Sequence, residues 1–471
     1  MLQKIKKLIK KYVPKNVLNL RHLVFAWYGA VRYGHPSNEL LVIGVTGTSG
    51  KSTTVFLLRN MLEALGYRVG SLSTIDFQIA GVNKLNNQKM TMLGRTQIQK
   101  YLREMVTKGC EIAIVETTSE GAVQHRHEFI NYDMIILTNL YPEHIESHGS
   151  FDNYKKAKLS IFRYIARFGR TKKNADALGF PLLTRPGTEY ISKIALVNGD
   201  SVHAPEFLSQ GSFDHTYAFG RGVRMIDDLD HYFLLSDTRS EQKGIAFSLD
   251  GHEVCVPLYG EHNAENCAIV FSVLSILGTT WDKIIHAARV CTNAPGRNEF
   301  IVQAEKYGFK VIVDYAFEPK AIEALYTVVA KLAPRRIIHV FGSTGGGRDK
   351  SRRFSVGEYV GKHADIVFVT DEDPYDDDPL LIMHDVSSAV ERKGKITGKD
   401  LFLIEDRREA IERAIMMAEA GDIVLVTGKG SEQAMCVAGG NVIPWDDRVV
   451  VREALELRGG EKKEIHSLWS S

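Results

Sequence analysis

The sequence predicts an α/β protein with two sheet-bearing domains, each around a mostly parallel sheet, and short helices ahead of them. The first observation is a set of short apolar runs without alternation, at Leu40–Val45, Glu111–Val115 and Met134–Leu137. Continuous runs of this kind suit strands covered on both faces, the situation inside a parallel sheet. The second is a return of the pattern beyond Ala294-Pro295-Gly296-Arg297, at Lys310–Asp314, Arg336–Phe341, Ile366–Thr370 and Ile423–Thr427. Helical stretches such as Lys320–Leu332 and Arg407–Ala420 separate those runs, so the later part of the chain builds a second α/β unit. The third is size: 471 residues, 44% of them hydrophobic, suffice for two or three domains with separate cores.

Pro295-Gly296 is a natural hinge. It divides the chain into an N-terminal segment at 1–39, a central domain at 40–296 and a C-terminal domain at 297–471. Within the central domain Thr53–Leu65 reads as a helix that follows a glycine-rich turn, and Asn263–Leu277 as a buried helix. Residues 165–260 are richer in turn formers and predict an irregular or antiparallel extension.

The N-terminal segment is basic. Met1–Asn38 holds six lysines, two arginines and no acidic residue. Leu2, Ile5, Leu8, Ile9, Tyr12 and Val13 recur at helical spacing, with Lys4, Lys6, Lys7, Lys10 and Lys11 between them. Such a segment can lie on an anionic membrane surface through residues 1–35, or dock on the protein itself with a solvated lysine face; the sequence leaves both open. The longest apolar stretch, Leu23–Val31, is too short to span a bilayer, and no cleavable signal is visible. Cys110, Cys255, Cys267, Cys291 and Cys436 form no C-x-x-C pair, which argues against a disulfide framework or zinc ribbon and suits a reducing cytoplasm. A net charge of +2 gives no reason to expect a nucleic-acid partner.

The chemistry-bearing motif is the loop Gly44-Val-Thr-Gly-Thr-Ser-Gly-Lys-Ser52 between the first strand and its helix. Glycines let backbone N–H groups approach phosphate oxygens, and the helix N-terminus favours negative charge. Lys51 would neutralise the β- and γ-phosphates and the Ser52 hydroxyl would ligate Mg²⁺. Gly47, Thr48, Ser49, Gly50 and Thr53 complete the expected ATP contacts, in a central domain of the P-loop ATPase kind. The common phosphate-loop form needs glycine at position 45, where this chain has Val45.

The spacing found instead, G-x-x-G-T-x-G-K-[ST], resembles the Mur ligases and their relative folylpolyglutamate synthase. Further segments follow in that family's order: Val115-Glu-Thr-Thr-Ser-Glu120, Thr138-Asn-Leu-Tyr-Pro-Glu-His-Ile-Glu-Ser-His-Gly149, Asn153-Tyr-Lys-Lys-Ala-Lys158 and Gly260-Glu-His-Asn263. Pro295-Gly-Arg297, Val313-Asp-Tyr-Ala316, Phe341-Gly-Ser-Thr-Gly-Gly-Gly-Arg-Asp-Lys350 and Gly428-Lys-Gly-Ser-Glu432 complete the series, which is most similar to the tripeptide-forming branch.

The resemblance implies an ADP-forming ligase that joins an amino acid to a muropeptide-type carboxylate in peptidoglycan precursor synthesis, with a Rossmann-like C-terminal domain. It implies ATP and two Mg²⁺ sites, with Lys51, Glu116, His144 and Lys158 as catalytic residues. Ser52, Glu116, His144 and a carbamate on Lys158 would be the metal ligands. Asn263 would contact adenine, Arg297 and Asp314 would line the nucleotide, and Arg348 would face the phosphates on domain closure. Thr91, Thr118, Arg126, Asp373, Pro374, Tyr375, Gly428 and Glu432 would bind acceptor and amino acid. Singly, each residue has a plainer role open to it: Glu116 as a salt-bridged carboxylate, His144 as a loop residue, Lys158 as a solvated helix lysine.

The chain also departs from the family. About forty residues precede the loop, where members carry a UDP-binding domain, so a lipid-linked or smaller peptide acceptor is expected at the membrane face. Members that add diaminopimelate carry D-N-P-R where this chain reads Glu372-Asp-Pro-Tyr375, within the acidic run Asp371–Asp378. That run is either a solvated loop or a pocket for a cationic amino acid such as lysine or ornithine. Phe317, Glu120 and Ser431 each replace a family histidine, and Thr91-Met-Leu93 replaces T-T-P. Two other readings stay open: a related ligase with a folate-like or storage-peptide acceptor, and a non-catalytic nucleotide-binding scaffold.

Overall fold

The computed structural model describes residues 15–85, 90–142, 148–167, 173–185, 187–222, 226–241 and 244–460. They form two compact units, one made almost wholly of residues up to Thr292 and the other of residues from Asn293 onward.

The first unit opens with α1 (Lys15–Arg32), β1 (Leu41–Thr46) and α2 (Lys51–Ala64). Next come β2 (Val69–Leu72), β3 (Asp76–Ile79), β4 (Val82–Leu85), α3 (Arg95–Thr107), β5 (Ile112–Glu116), α4 (Ser119–Val123), β6 (Met134–Leu137) and α5 (Phe151–Arg167). It closes with β7 (Ile194–Asn198), α6 (Ala204–Leu208), β8 (His215–Gly220), β9 (His231–Glu241), β10 (Gly244–Leu249), β11 (His252–Val256), α7 (His262–Ile276) and α8 (Trp281–Ala288). One sheet runs through it in the order β11-β10-β9-β8-β7-β6-β1-β5-β2-β3-β4.

β1 lies between β5 and β6, parallel to both, and all six of its residues are buried. That explains its unbroken apolar run: both faces are covered. The register sets Val45 opposite Glu116 and Thr46 opposite Leu137, so the carboxyl ends of three strands open at one place.

The region 165–260 differs from its expectation as an irregular or antiparallel extension. β7 and β8 continue the sheet parallel to β6, β9 runs parallel to β8, and antiparallel pairing begins only at β10. The apolar core of β7, Ile194–Val197, is short and sits among turn residues, which hid it.

The amino ends of β1, β6 and β7 are tied by a buried ion cluster. Asp133 accepts the Val42 amide at 2.8 Å and the Lys173 ammonium at 2.6 Å, with the Lys193 ammonium at 3.3 Å. Lys173 also donates to the carbonyls of Leu40 and Asn131. Burial pulls the Lys173 ammonium down to about 8, and Asp133 works against that pull.

The second unit contains β12 (Glu299–Phe300), β13 (Lys310–Asp314), α9 (Pro319–Lys331), β14 (Ile337–Phe341), α10 (Ser351–His363), β15 (Ile366–Val369) and α11 (Pro379–Glu391). β16 (Leu401–Leu403), α12 (Arg407–Met417), β17 (Ile423–Thr427), the hairpin β18 (Ala434–Val437) with β19 (Asn441–Pro444), and α13 (Asp447–Arg458) complete it. Its sheet runs β12-β13-β17-β14-β15-β16, and every pairing is parallel except β12 with β13.

Helices cover both faces, giving separate apolar cores around Val424 and Val426 on one side and Leu425 and Val367 on the other. Arg407 and Asp447, both fully buried, pair through two hydrogen bonds of 2.8 and 2.7 Å. In such doubly wound sheets ligands sit at the carboxyl ends of the strands. Among the described residues no helix is long and apolar enough to cross a membrane.

Candidate active site

The phosphate loop joins β1 to α2, and its shape is set by close approach. Gly47 has φ 149° and a Cβ there would fall 1.9 Å from Thr138 Oγ1; Gly50 has φ 77° and a Cβ would fall 2.5 Å from Asn266 Oδ1. Only glycine fits either place.

The segment after β6 wraps the loop. Asn139 Oδ1 accepts the amides of Thr48 and Ser49 at 3.2 and 2.9 Å, and Thr138 Oγ1 donates to the Ser49 carbonyl at 2.7 Å. Tyr154 OH donates to Thr48 Oγ1 at 3.1 Å, and Lys51 Nζ donates to the Thr48 carbonyl at 2.7 Å. Thr53 occupies the third position of α2, half-buried.

Glu116, at the end of β5, is 1% exposed. Ser52 Oγ lies 3.0 Å from both of its carboxylate oxygens. The Thr74 amide and hydroxyl donate to Oε2 at 2.8 and 3.1 Å, and Thr74 Oγ1 also reaches Thr91 Oγ1 at 2.9 Å. The structure therefore brings Ser52, Glu116 and Thr91 together through Thr74, which sequence reasoning missed.

A serine hydroxyl beside a carboxylate is a hard-oxygen pair that suits Mg²⁺, an ion usually held by one or two carboxylates plus substrate phosphates. Among the described residues no group of three or more His, Cys, Asp and Glu side chains could hold a metal by itself.

Lys158 on α5 is buried behind the loop. Its ammonium donates to the Gly47 carbonyl at 2.7 Å and lies 4.7 Å from the centre of the Tyr154 ring. His144 lies outside the described residues. Its neighbour in sequence His148 does not: Nε2 lies 3.1 Å from Ser119 Oγ, and burial lowers its basicity, against Glu120, which raises it.

Thr118 caps α4 by accepting the Gly121 amide at 3.0 Å. Arg126 donates to the Met92 carbonyl and, at 2.7 Å, to Gln124 Oε1. Asn263 spends both ends of its amide inside the unit, donating to the Tyr259 carbonyl at 2.8 Å and accepting from Asn266 at 2.9 Å. Asn266 in turn sits 3.5 Å from Thr54 Oγ1 on α2, so Asn263 is coupled to the loop's helix.

Arg297, Asp314 and Arg348 belong to the second unit. Arg297 stacks over Tyr315 at 4.3 Å, and Asp314 accepts the amides of Asn298 and Ala316 at 2.5 and 2.7 Å. Burial raises the Asp314 carboxyl, with Arg297 opposing. Arg348 hydrogen-bonds Tyr375, whose φ of 56° is left-handed.

Glu432 accepts from Tyr315 OH at 2.9 Å and from Lys429 Nζ at 2.6 Å. Lys429 also reaches Asp373 at 2.9 Å, and Asp373 accepts the Cys436 amide at 2.6 Å. Lys429 thus neutralises two expected amino-acid contacts at once.

The acidic run is mostly structural. Asp376 accepts the Gly439 amide, Asp377 the Gly346 amide, Asp378 caps α11, and Pro374 accepts the Asp377 amide through its carbonyl. Glu372 is the exception. It is 3% exposed, its carboxylate accepts no hydrogen bond among the described residues, and a Cβ on Gly428 would fall 2.3 Å from its Oε2. With Arg353, Phe317, Phe341, Thr344 and Gly428 it lines a narrow cavity at the carboxyl ends of β13, β14, β15 and β17. Burial pushes its carboxyl up to about 7, with Arg407 opposing and Asp373 reinforcing.

A glycine-rich loop whose helix-opening serine is tied to a buried strand-end glutamate defines a P-loop nucleotide enzyme. Known proteins narrow the class. The Mur ligase middle domain matches residues 45–179, and the Mur ligase glutamate ligase domain matches residues 296–430. A UDP-N-acetylmuramyl-tripeptide synthetase of Roseiflexus sp. (strain RS-1) is 33% identical over 91% of this chain and 81% of its own. One of Borreliella burgdorferi is 30% identical over 96% of this chain and 84% of its own.

A solved UDP-N-acetylmuramoyl-L-alanyl-D-glutamate–2,6-diaminopimelate ligase has a TM-score of 0.56 at 25% identity, covering 89% of this chain and 79% of that one. The MurF ligase of Thermotoga maritima, solved with ADP, shares the fold at a TM-score of 0.60 and 20% identity, covering 92% of this chain and 83% of that one. The chain belongs to the Mur ligase family. It is an ATP-dependent, amide-bond-forming ligase, and ATP and Mg²⁺ are the family's cofactors.

Glu372 predicts a pH signature. Its folded value of about 7 lies above the ordinary 4.5, so between those values the folded chain keeps a proton that the unfolded chain has lost. Stability therefore falls as pH rises through that window. Glu372→Gln is expected to match wild type at pH about 4.5 and to exceed it above pH 7 by on the order of 2 kcal/mol, read by urea unfolding at both pH values. A difference that did not change with pH would contradict this account.

Proposed function

We propose that this chain adds a cationic amino acid, such as lysine or ornithine, to the carboxylate of a muropeptide acceptor. The observation that carries the reading is the Ser52–Glu116 pair beside Lys51 on the phosphate loop. The acceptor carboxylate attacks the γ-phosphorus of ATP, giving an acyl phosphate and ADP; the amine then displaces phosphate and forms the amide. The first step brings two anions together, so it needs cations and positioning more than acid–base groups. Ser52 and Glu116 would hold Mg²⁺, which would supply part of that charge, and Lys51 would supply the rest.

For the amino acid, support lies in Tyr375 standing where diaminopimelate-adding members carry arginine, and in Glu372 as the one acid of its run without a hydrogen-bonding partner among the described residues. Incubation with ATP, Mg²⁺, UDP-linked and lipid-linked dipeptide acceptors and an amino-acid panel tests this by phosphate release and product mass. Lysine or ornithine is expected to be the best substrate, and Lys51→Ala is expected to lose roughly 10²–10³-fold. Diaminopimelate as the best substrate would sink the specificity; absence of any amide product would sink the ligase reading.

His144 and a carbamate on Lys158 are proposed as ligands of a second Mg²⁺. The plainer role for Lys158 is to brace the loop through its bond to Gly47. Lys158→Ala should lose activity either way, and the readings part on rescue. Recovery with formate or propionate supports the carbamate, whereas activity that no short acid restores points to the brace.

A lipid-linked acceptor and peripheral membrane contact through residues 1–35 are supported by α1. One face packs Ala26, Gly29 and Ala30 inward, while Leu20, Val24, Trp27, Tyr28 and Val31 on the other are about half exposed or more. An apolar aromatic face in a basic segment fits an anionic bilayer surface. Trp27 fluorescence, taken against Trp27→Phe, is expected to shift to the blue with anionic vesicles and not with neutral ones. An unchanged spectrum would exclude the contact.

A further inference from the structure

A set of cations gathers in the first unit away from the phosphate loop. Arg95 opens α3, and Arg126 follows α4. Both are half-buried and both lean on Gln124: Arg95 Nε donates to its backbone carbonyl and Arg126 Nη2 to its side-chain oxygen, each at 2.7 Å. Neither guanidinium makes an ion pair among the described residues, and Arg95 Nη2 and Arg126 Nε are buried atoms without a hydrogen-bond partner.

α1 adds to the charge. It packs on α3, with Thr96 Oγ1 donating to the Phe25 carbonyl at 3.3 Å and Gly29 close against Thr96. Arg21 and His22 lie on that helix, where His22 feels the charges of both guanidiniums and Arg21 acts on Arg95. Burial and the positive groups Arg95, Arg21, His125 and Arg126 together pull the His22 imidazole down to about 4. Burial, then Arg126 and Arg21, lowers Arg95 to about 10.

The nearby carboxylates do not cancel this charge. Glu128 sits 3.5 Å from His125, and Glu120 acts on Arg126 without forming an ion pair. Like charges held together with unmet N–H groups are costly, and an anion between them relieves both costs. Arginine's planar fork suits an oxyanion with two free oxygens. Thr91 and Met92, which precede Arg95, carry the link to Glu116 through Thr74 on one side and to Arg126 on the other.

We propose that Arg95 and Arg126, with Arg21 and His22 of α1, form a binding site for an anionic group of the acceptor, a phosphate or a carboxylate. The proposal rests on the ligase reading and extends it. Arg126 alone was implied as an acceptor contact; Arg95 and α1 are new, and they make the N-terminal helix part of the substrate site.

The test is calorimetry on the full chain carrying Lys51→Ala, which weakens anion binding at the phosphate loop. Inorganic phosphate, pyrophosphate and glutarate are titrated separately. At least one is expected to bind, and adding Arg95→Gln or the exposed Arg21→Gln is expected to weaken it about tenfold or more, the cost of losing a charged hydrogen-bonding partner. Arg95→Lys should keep much of the affinity.

Binding of the two phosphates identifies a phosphorylated acceptor group, and binding of glutarate a carboxylate. Should Arg95→Gln fail to fold, Arg21→Gln decides. No binding by any probe, or affinity unchanged in the arginine variants, overturns the proposal. The readout involves no turnover, so the two readings fail separately: a chain that binds the probes yet forms no amide loses the ligase reading, and one that ligates yet ignores them loses this site.

Discussion

The Glu116 carboxylate gathers a hydroxyl from α2 and an amide and a hydroxyl from the turn after β2, at a depth where water does not reach. A buried carboxylate with fewer partners would be costly, so these bonds hold the three segments in one arrangement. The sheet register delivers Glu116 to that point, because β1 and β5 run parallel with Val45 opposite it. The loop's glycines, the clasp of Asn139 and the reach of Thr74 to Thr91 then follow from where that carboxylate lies. The oxygens that order the protein are the ones a magnesium ion would use, so the site is largely formed before substrate arrives.

The second unit handles charge differently. Lys429 binds Asp373 and Glu432 together, and Arg407 is spent on Asp447. Most acids at the carboxyl ends of its strands are therefore satisfied inside the unit. Glu372 stands apart, pressed against Gly428 with unmet hydrogen-bonding capacity. A buried acid near neutrality in a cavity at strand ends is where selectivity for a cationic group can be lodged.

Much of this was legible in the sequence. The two α/β series could be read because their parallel strands are unbroken apolar runs, and the phosphate loop because its glycines answer to contacts with no room for a side chain. Other parts were hidden. Val69-Gly-Ser-Leu72 forms β2 without a strand-like composition, and its small residues make room for Met105, which packs over Gly70. The acidic run from Asp371 reads as one feature in sequence, yet its members cap α11, hold amides of two different loops and pair with Lys429. Arg95 and Arg126 meet only through Gln124, and Arg21 joins them only because α1 packs on α3. Residue type was visible in each case; the partner was not, because the fold chooses it.

The buried cluster at Asp133 bears on how this chain can be divided. Its carboxylate is reached from residues 42, 173 and 193, so three loops, each tens of residues long, close on one atom group. Within the stretch from β1 to β7, losing Asp133 while keeping the two lysines would strand ammonium groups in the interior. Among the described residues, the strands β9 to β11 make no ionic tie to Asp133. Trading those strands would cost apolar packing, such as Phe247 of β10 on Phe271 of α7, and would leave the buried charges paired.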